Sequence, residues 1–598
     1  MARLMSSPTV RIGILLRQRQ IRCRVLGTHR LEDAQGHVLG QISEDTGQLE
    51  FRPRNTQPAI FAWKSVLCKA PTREVAERHM RGLPPLGEDQ SWEIQTVGKT
   101  WELVGGEILD SREWWVLTPP FDDDEECHAW CHERGLSHMQ LVPAVRHPPR
   151  GEIACQAAGI TASGLETGAL FRIMPAEPRG CRIALSNVVV GIDFHWQHLE
   201  THHLRGALEI LVDREGNLAA VNELPLEAYL CSVVGSEMKA EMPHELLKVQ
   251  AVCARNTYLA TAGKHHLGEP FDLCNDDHCQ CYRGSSRETR EAREAAISTW
   301  GEVLIHGNRL CDTRYSKICG GISEAAHSVW GGPEIPYMTP IADIASTAPD
   351  RVEPPLDSEK KVRAWVDSSP GAFCNAGAHE VPRYLQYAAK YFRWKVQLTR
   401  EDLERLLGRL PEVRVGEIRE LVPRRRGASG RIEELAVIGA DGEAVIGREL
   451  VIRQALSEST LFSACFVVDH ERETDGRLRS VTLRGAGWGH GAGMCQVGAT
   501  VMAIQGYTHE QILTHYFRDT QLTLLYEQPT NWAAVLDHFD DGDFSVYDRC
   551  WEASNCYEVV GCPVYERLIG PDKGYVPDAK RTKMYLDCPE YHLQSEGD

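Results

Sequence analysis

Val221 to Ala262 reads VNELPLEAYLCSVVGSEMKAEMPHELLKVQAVCARNTYLATA, and the rest of the chain is organised around it. Leu224-Pro225 puts a proline where a first helical turn tolerates one. Leu226, Tyr229, Leu230, Val233 and Val234 follow at helical spacing and make one apolar face. About three turns beyond Leu226 comes Glu237, so the spacing predicts a carboxylate on the apolar stripe, not opposite it. Desolvation disfavours the charged form of a carboxyl there, as a proton donor near neutral pH requires. A glutamate at a frayed helix end fits the same spacing. Pro243 restarts a helix, with His244-Glu245 in its first turn and Leu246, Leu247, Val249 and Val252 as its buried face.

The chain has 598 residues, 42% of them hydrophobic and 25% charged, which is too long for one compact core and ordinary for a globular protein of several units. Its formal charge of −19 argues against nucleic acid, whose binders present basic surfaces. No run approaches the ~20 apolar residues of a membrane span. The apolar stretch in MARLMSSPTVRIGILLRQRQ is too short for a signal-peptide core and is flanked by Arg11 and Arg17, so it reads as a first strand. Twenty cysteines leave the redox compartment open among buried thiols, metal ligands and disulfides.

Residues 1–60 read as a β-rich segment built from RIGILL, RCRVLG and QLEFRP. Residues 61–150 follow as a small αββα module, with helices in APTREVAERHMRGL and DDDEECHAWCHERGL around the strands WEIQTVG and WELVGGEIL. The acidic run from Asp122 is expected to be a helix N-terminus. Strands return before Val221, joined by a hairpin turn at DREGN. After the helix pair, GKHHLGEPFDLCNDDHCQCYRG is too polar and too cysteine-rich for core. Its His266, Cys274, His278 and Cys279 are candidate zinc ligands, since thiolates and imidazoles close in sequence can clamp that ion. The spacing is not a CxxC finger, and a cluster of buried or oxidised thiols is the alternative; near-stoichiometric zinc in purified protein separates the two.

In ICGGISEAAHSVWGG the glycine pair permits close backbone approach, and Ser323, Glu324 and His327 supply polar groups. No strand-nucleophile-helix elbow surrounds that serine, so it is not read as a nucleophile. Thr399 and Thr508 are expected helix N-caps, and PRRRGASGRI a solvated turn between strands. In LRGAGWGHGAGMCQVGATVMAIQGYTHEQILTHYF, alternate glycines leave Trp488 and His490 projecting; the segment fits a tryptophan beside a cleft, a platform for a sugar ring, and equally a core tryptophan among turn glycines. No Lys-Ser/Thr end makes this a phosphate loop. No function is assigned to the acidic, cysteine-bearing extension 527–598.

NELPLEAYLCSVVGSEM, MPHELLKVQAVCARNTYLA, FDLCNDDHCQCYRG, the CGG of YSKICGGISE, and GWGHGAGMCQVGATVMAIQGYTHEQILTHYF occur in the order found in the SpoIID/LytB family of bacterial cell-wall proteins, and the chain resembles that family from about Phe171 to Leu525. The resemblance implies an α+β fold with a catalytic core at 151–526; the αββα module at 61–150, which reads as SPOR-like, and the C-terminal extension lie outside it. It also implies a lytic transglycosylase that cuts peptidoglycan between N-acetylmuramic acid and N-acetylglucosamine, leaving a 1,6-anhydro end. Glu237 of the SEM motif is then the single acid/base, and Arg255, Tyr282, Trp488, His490 and Gln496 contact the glycan. The resemblance also implies a structural zinc, since some relatives resemble zinc proteins with a histidine and two cysteines in the loop matching His266 to Cys279. Cys274 and Cys279 match best here, while His265, His266 and His278 compete for the histidine position. Implied partners are glycan strands and an N-acetylmuramoyl-L-alanine amidase, the latter if the protein is a binding amidase enhancer and not an enzyme. The family's place is the cell envelope, whereas this N-terminus shows no export signal and leaves a cytoplasmic location open.

Overall fold

The structure is a computed structural model that describes residues 7–529 apart from 88–89, 104–105, 137–139, 158–169, 178, 192–196 and 277; all but the first three residues of the C-terminal extension lie outside it. The architecture is α+β, with helices packed on mixed sheets. The central sheet has seven strands in the order Leu273–Cys274, Thr9–Gln18, Leu218–Pro225, Ala207–Val212, Leu170–Pro175, His29–Glu32, Val38–Ile42. The N-terminal stretch is its second strand, pairing antiparallel with Leu218–Pro225 from Thr9 opposite Pro225 to Gln18 opposite Leu218. A five-stranded sheet likewise combines Ile21–Leu26 and Leu49–Gln57 with Arg150–Gln156, Arg182–Val190 and His198–Leu204. Residues 9–57, drawn from sequence as a separate segment, thus share both sheets with strands from the region after 150.

Between them lies the module expected as αββα. The structure adds the strands Ile60–Ala70, Glu113–Leu117 and Gln140–His147, making a four-stranded antiparallel sheet of split βαβ form in the order Gln140–His147, Ile60–Ala70, Glu113–Leu117, Glu93–Val97. WELVGGEIL is not one strand but a small hairpin, Thr100–Glu102 with Ile108–Asp110. The module is fixed to the core by Trp101 Nε1 donating to the Leu259 carbonyl at 3.0 Å and by a Lys264–Glu113 ion pair at 2.8 Å.

The strand Leu218–Pro225 runs directly into the first helix of the pair, Leu226–Glu237, whose first backbone N–H donates to the Pro8 carbonyl at 2.8 Å. This helix is not amphipathic. Every residue from Leu226 to Gly235 is buried, Glu227 and Ser232 included, so the single apolar stripe inferred from spacing does not exist. At Gly235 a Cβ would lie 1.9 Å from the Arg287 carbonyl oxygen, so glycine is what lets the 284–287 turn close on the helix. The second helix, His244–Thr261, is buried from Val249 to Thr261. Each Leu or Val sealed between the pair contributes about 1.5–3 kcal/mol of burial. A further cluster around Leu403, Leu435 and Phe466 forms the core of the strands between 393 and 486.

Capping boxes form at Thr399 with Asp402 and at Thr508 with Gln511, Asp123 caps the acidic helix, and Asp213 closes the DREGN hairpin, as expected. The PRRRGASGRI turn differs: Ser429 and Arg431 are buried, because the backbone N–H groups of Ala428 and Ser429 fold inward onto the Glu324 carboxylate at 3.1 Å.

His509 clasps the helix Thr508 caps to the core, its ring nitrogens 3.1 Å from Glu245 and Glu302. Donation to Glu302 raises the imidazole above its usual range, and Glu245 is held down at about 2 by Lys248 and His509. A raised imidazole stabilises the fold fully below its ordinary value of about 6.5, and that contribution is lost as pH climbs through the raised value. Melting curves taken from about pH 6 to 9 should therefore show an alkaline decline that His509→Gln flattens. An unchanged decline in the variant removes the clasp from the account.

Candidate functional site

Glu237 is the last residue of the first helix and is half-buried. Its Oε1 accepts the backbone N–H of Cys281 at 3.2 Å and faces the Tyr315 hydroxyl at 3.3 Å. The helix stops there because Met238 is extended, with φ −127°. The carboxylate therefore sits at a helix end, as one of the two sequence readings had it, yet it is held by two separate segments.

Each donor has a structural origin. Cys281 belongs to the cysteine loop, whose strand Leu273–Cys274 adds in parallel to Thr9–Gln18 and so anchors the loop on the central sheet. Tyr315 lies on a two-residue strand that pairs in parallel with Met494-Cys495, Tyr315 opposite Met494 and Ser316 opposite Cys495. The glycine-rich run makes this approach possible: at Gly493, φ is +71° and a Cβ would lie 2.0 Å from the Arg314 carbonyl oxygen. The Tyr315 hydroxyl is also 3.3 Å from Gln280 Oε1, and the Gln280 amide donates to the Ala254 carbonyl at 3.2 Å. Packing around its ring and the charge of Glu237 push the Tyr315 hydroxyl well above the ordinary range, so it stays a donor.

His490 Nδ1 accepts the Ala492 N–H at 3.1 Å, which leaves the proton on Nε2 to donate to the Tyr315 carbonyl at 2.9 Å. Packing and the charges of Arg431 and Arg453 push this imidazole down to about 3, so it is a neutral brace for Tyr315. Its ring lies 4.8 Å from that of Trp330, which is half exposed, and Arg314 sits over the Trp330 ring. Trp488 pairs its backbone with Ile318 in both directions and stacks on Tyr391 at 4.5 Å. Two partly exposed aromatic pairs thus flank the strand that carries Tyr315.

The other residues assigned to glycan contact lie elsewhere. Arg255 is fully buried and pairs with Glu227 through both carboxylate oxygens, at 2.8 and 2.7 Å. Tyr282 is buried with its hydroxyl donating to Asn222 at 2.6 Å, and Gln496 is buried at the start of the helix Gln496–Ile504, its amide 3.4 Å from Gln250. All three brace the core beneath the site. Ser323 is buried, its Oγ accepting the Ile341 N–H, which agrees with reading it as no nucleophile. Sequence reasoning missed Tyr315 and Gln280, although both fall inside the quoted blocks YSKICGG and FDLCNDDHCQCYRG.

The loop brings its four candidate ligands together: one donor atom each from His266, Cys274, His278 and Cys279, all within 4.8 Å of one another. His266 Nε2 is 3.1 Å and His278 Nδ1 3.4 Å from Cys279 Sγ, with His265 Nδ1 outside the set at 3.9 Å. Hydrogen bonds from Cys279, His266 and His278 hold Cys274 well below the ordinary thiol range, toward the thiolate that binds metal. Two sulfurs and two imidazoles in this volume fit a tetrahedral zinc. All sixteen cysteines among the described residues are unpaired by disulfides.

Residues 214–306 match the family described as Stage II sporulation protein, and residues 324–493 match a domain of unknown function, DUF8618. Stage II sporulation protein D of Bacillus subtilis is 27% identical over 320 residues, covering 51% of this chain and 76% of that protein. An uncharacterized protein of Brachyspira hyodysenteriae is 25% identical over 305 residues, covering 51% and 68%. The Amidase enhancer of Bacillus subtilis is 25% identical over 310 residues, 49% of this chain and 40% of that protein. Among the described residues no helix is long and apolar enough to cross a membrane.

Proposed function

We propose that this chain, about half of which aligns with SpoIID and amidase-enhancer proteins, acts at the bacterial cell wall as a lytic transglycosylase with Glu237 as its acid/base. The observation that carries the reading is Glu237 Oε1 held between the Cys281 N–H and the Tyr315 hydroxyl at a helix end flanked by aromatic side chains.

One carboxyl that both gives and takes a proton needs surroundings that suit either state. Tyr315 supplies this. Facing a carboxylate, its hydroxyl donates to Glu237; facing the acid, it turns its proton to Gln280 Oε1 and can accept from Glu237. As acid, Glu237 protonates the glycosidic oxygen, and the C1–O bond breaks. As base, it takes the proton of the muramyl C6 hydroxyl while that oxygen bonds to C1, closing the 1,6-anhydro ring. Proton and bond counts balance without water and without the second carboxylate of ordinary glycoside hydrolysis. Trp488 and Trp330 offer apolar faces for sugar rings on either side. His266, Cys274, His278 and Cys279 would hold a structural zinc, whose part is to fix the loop that delivers the Cys281 N–H and Gln280.

Tyr315→Phe removes the proton that switches between Glu237 and Gln280 while keeping the ring. Turnover of peptide-stripped glycan strands should fall about 10- to 100-fold, with a shifted pH profile and unchanged glycan binding. Wild-type rates in the variant would exclude Tyr315 from the chemistry. A second reading rests on the Amidase enhancer relative: the same surface would bind glycan and stimulate an amidase without cutting. Binding with no product, together with faster hydrolysis by an added N-acetylmuramoyl-L-alanine amidase, is the outcome that selects it.

A further inference from the structure

A second cluster of soft donors lies apart from the loop. Cys319, Asp343, Cys374 and Cys495 each offer one ligand atom, all four atoms lie within 4.8 Å of one another, and none of the residues is more than 2% exposed. Cys319 Sγ is 3.5 Å from Cys374 Sγ and 3.2 Å from Asp343 Oδ2. Thiolates at about 2.3 Å from a tetrahedral zinc stand about 3.8 Å apart, so the cluster has the size of that coordination sphere. Iron–sulfur clusters draw on cysteine or histidine sets, and a carboxylate in the fourth place favours zinc.

The surroundings aim these atoms. Asp343 Oδ1 is taken by the Tyr516 hydroxyl at 2.8 Å and faces His515 Nε2 at 3.3 Å, which turns Oδ2 toward the sulfurs. Cys495 caps the helix Gln496–Ile504, its Sγ receiving the backbone N–H of Gly498 at 3.4 Å and of Cys319 at 3.2 Å. Cys319 Sγ receives the Gly321 N–H at 3.4 Å. Backbone N–H groups converging on sulfur orient thiolate ligands and steady their charge, as a metal site needs. Arg393 and Arg431, bonded to the Gly320 and Cys319 carbonyls at 3.0 Å, bring positive charge beside a ligand set rich in negative charge.

We infer that Cys319, Asp343, Cys374 and Cys495 bind a buried structural zinc ion, distinct from the loop. Its ligands come from before, within and after the 324–493 region, so the ion ties that region to the core. It also sits directly behind the site. Cys495 lies opposite Ser316, next to Tyr315, and Cys319 leads into Gly320, which packs against the backbone of Ala486 and Gly487. The ion would hold in place the strand pair that presents Tyr315 to Glu237.

Elemental analysis of the full chain, purified reduced and without chelators, tests this independently of glycan turnover. Two zinc ions per chain are expected. Cys279→Ala should lose one and keep the other, and on cobalt(II) replacement that variant should retain a near-ultraviolet sulfur-to-cobalt band of three-thiolate strength. Cys374→Ala should lose the second ion and its band; if that variant does not fold, the wild-type count and the Cys279→Ala protein decide alone. A single zinc that survives Cys279→Ala supports the buried site and removes the loop site. A single zinc lost entirely in Cys279→Ala overturns the inference, as does a Cys319–Cys374 disulfide found by peptide mapping of the metal-free protein.

Discussion

Glu237→Gln is expected to lower turnover of peptide-stripped glycan strands by at least about 10³-fold, because one carboxyl performs both proton transfers and each such transfer is worth about 10²–10⁴. Glutamine keeps an oxygen to accept the Cys281 N–H, so the loop contact and the fold should survive. Glycan binding should persist with melting behaviour like that of the wild type. Product formed at the wild-type rate by the variant would take Glu237 out of the mechanism. Loss of binding together with activity would instead assign it to the glycan site alone.

Arg255→Ala carries the largest expected cost in stability. The guanidinium and the Glu227 carboxylate are both enclosed between the two helices, with 0% and 1% of their side chains exposed. Arg255 also donates to the Glu302 carbonyl at 3.0 Å, and the Tyr526 hydroxyl donates to Glu227. Removing the cation leaves a buried charge without its partner, which costs about 3–5 kcal/mol. Joint replacement of both partners by apolar residues of similar volume should recover most of that loss. Denaturant midpoints of the single and double variants read this directly. Unchanged stability with weakened glycan binding would return Arg255 to the glycan site assigned from sequence.

Arg255 shows where sequence reading stops. Its spacing on His244–Thr261 says which residues share a face, but a helix enclosed on all sides has no outward face, and the partner at Glu227 is visible only once the two helices are packed. The same enclosure removed the stripe argument at Glu237. What was legible rests on local chemistry. The boxes at Thr399 and Thr508 and the turn at Asp213 satisfy backbone groups within a few residues of themselves, and the prolines before both helices fix their own φ, so their outcome is written locally. The strands Ile60–Ala70 and Gln140–His147 were missed because their burial does not alternate cleanly. Tyr315 was missed for a different reason: its role comes from a parallel pairing with Met494, far along the chain. The loop ligands sit close in sequence and could be named in advance, whereas Cys319, Asp343, Cys374 and Cys495 are gathered only by the fold.

Whether a single carboxyl closes an anhydro ring is read from the mass of the ends made when the full chain acts on peptide-stripped glycan strands. The wild type should form 1,6-anhydro-muramyl ends, one water lighter than hydrolysed ends, and Glu237→Gln should form none. Reducing muramyl ends carrying an added water, or intact strands bound without cleavage, would contradict it.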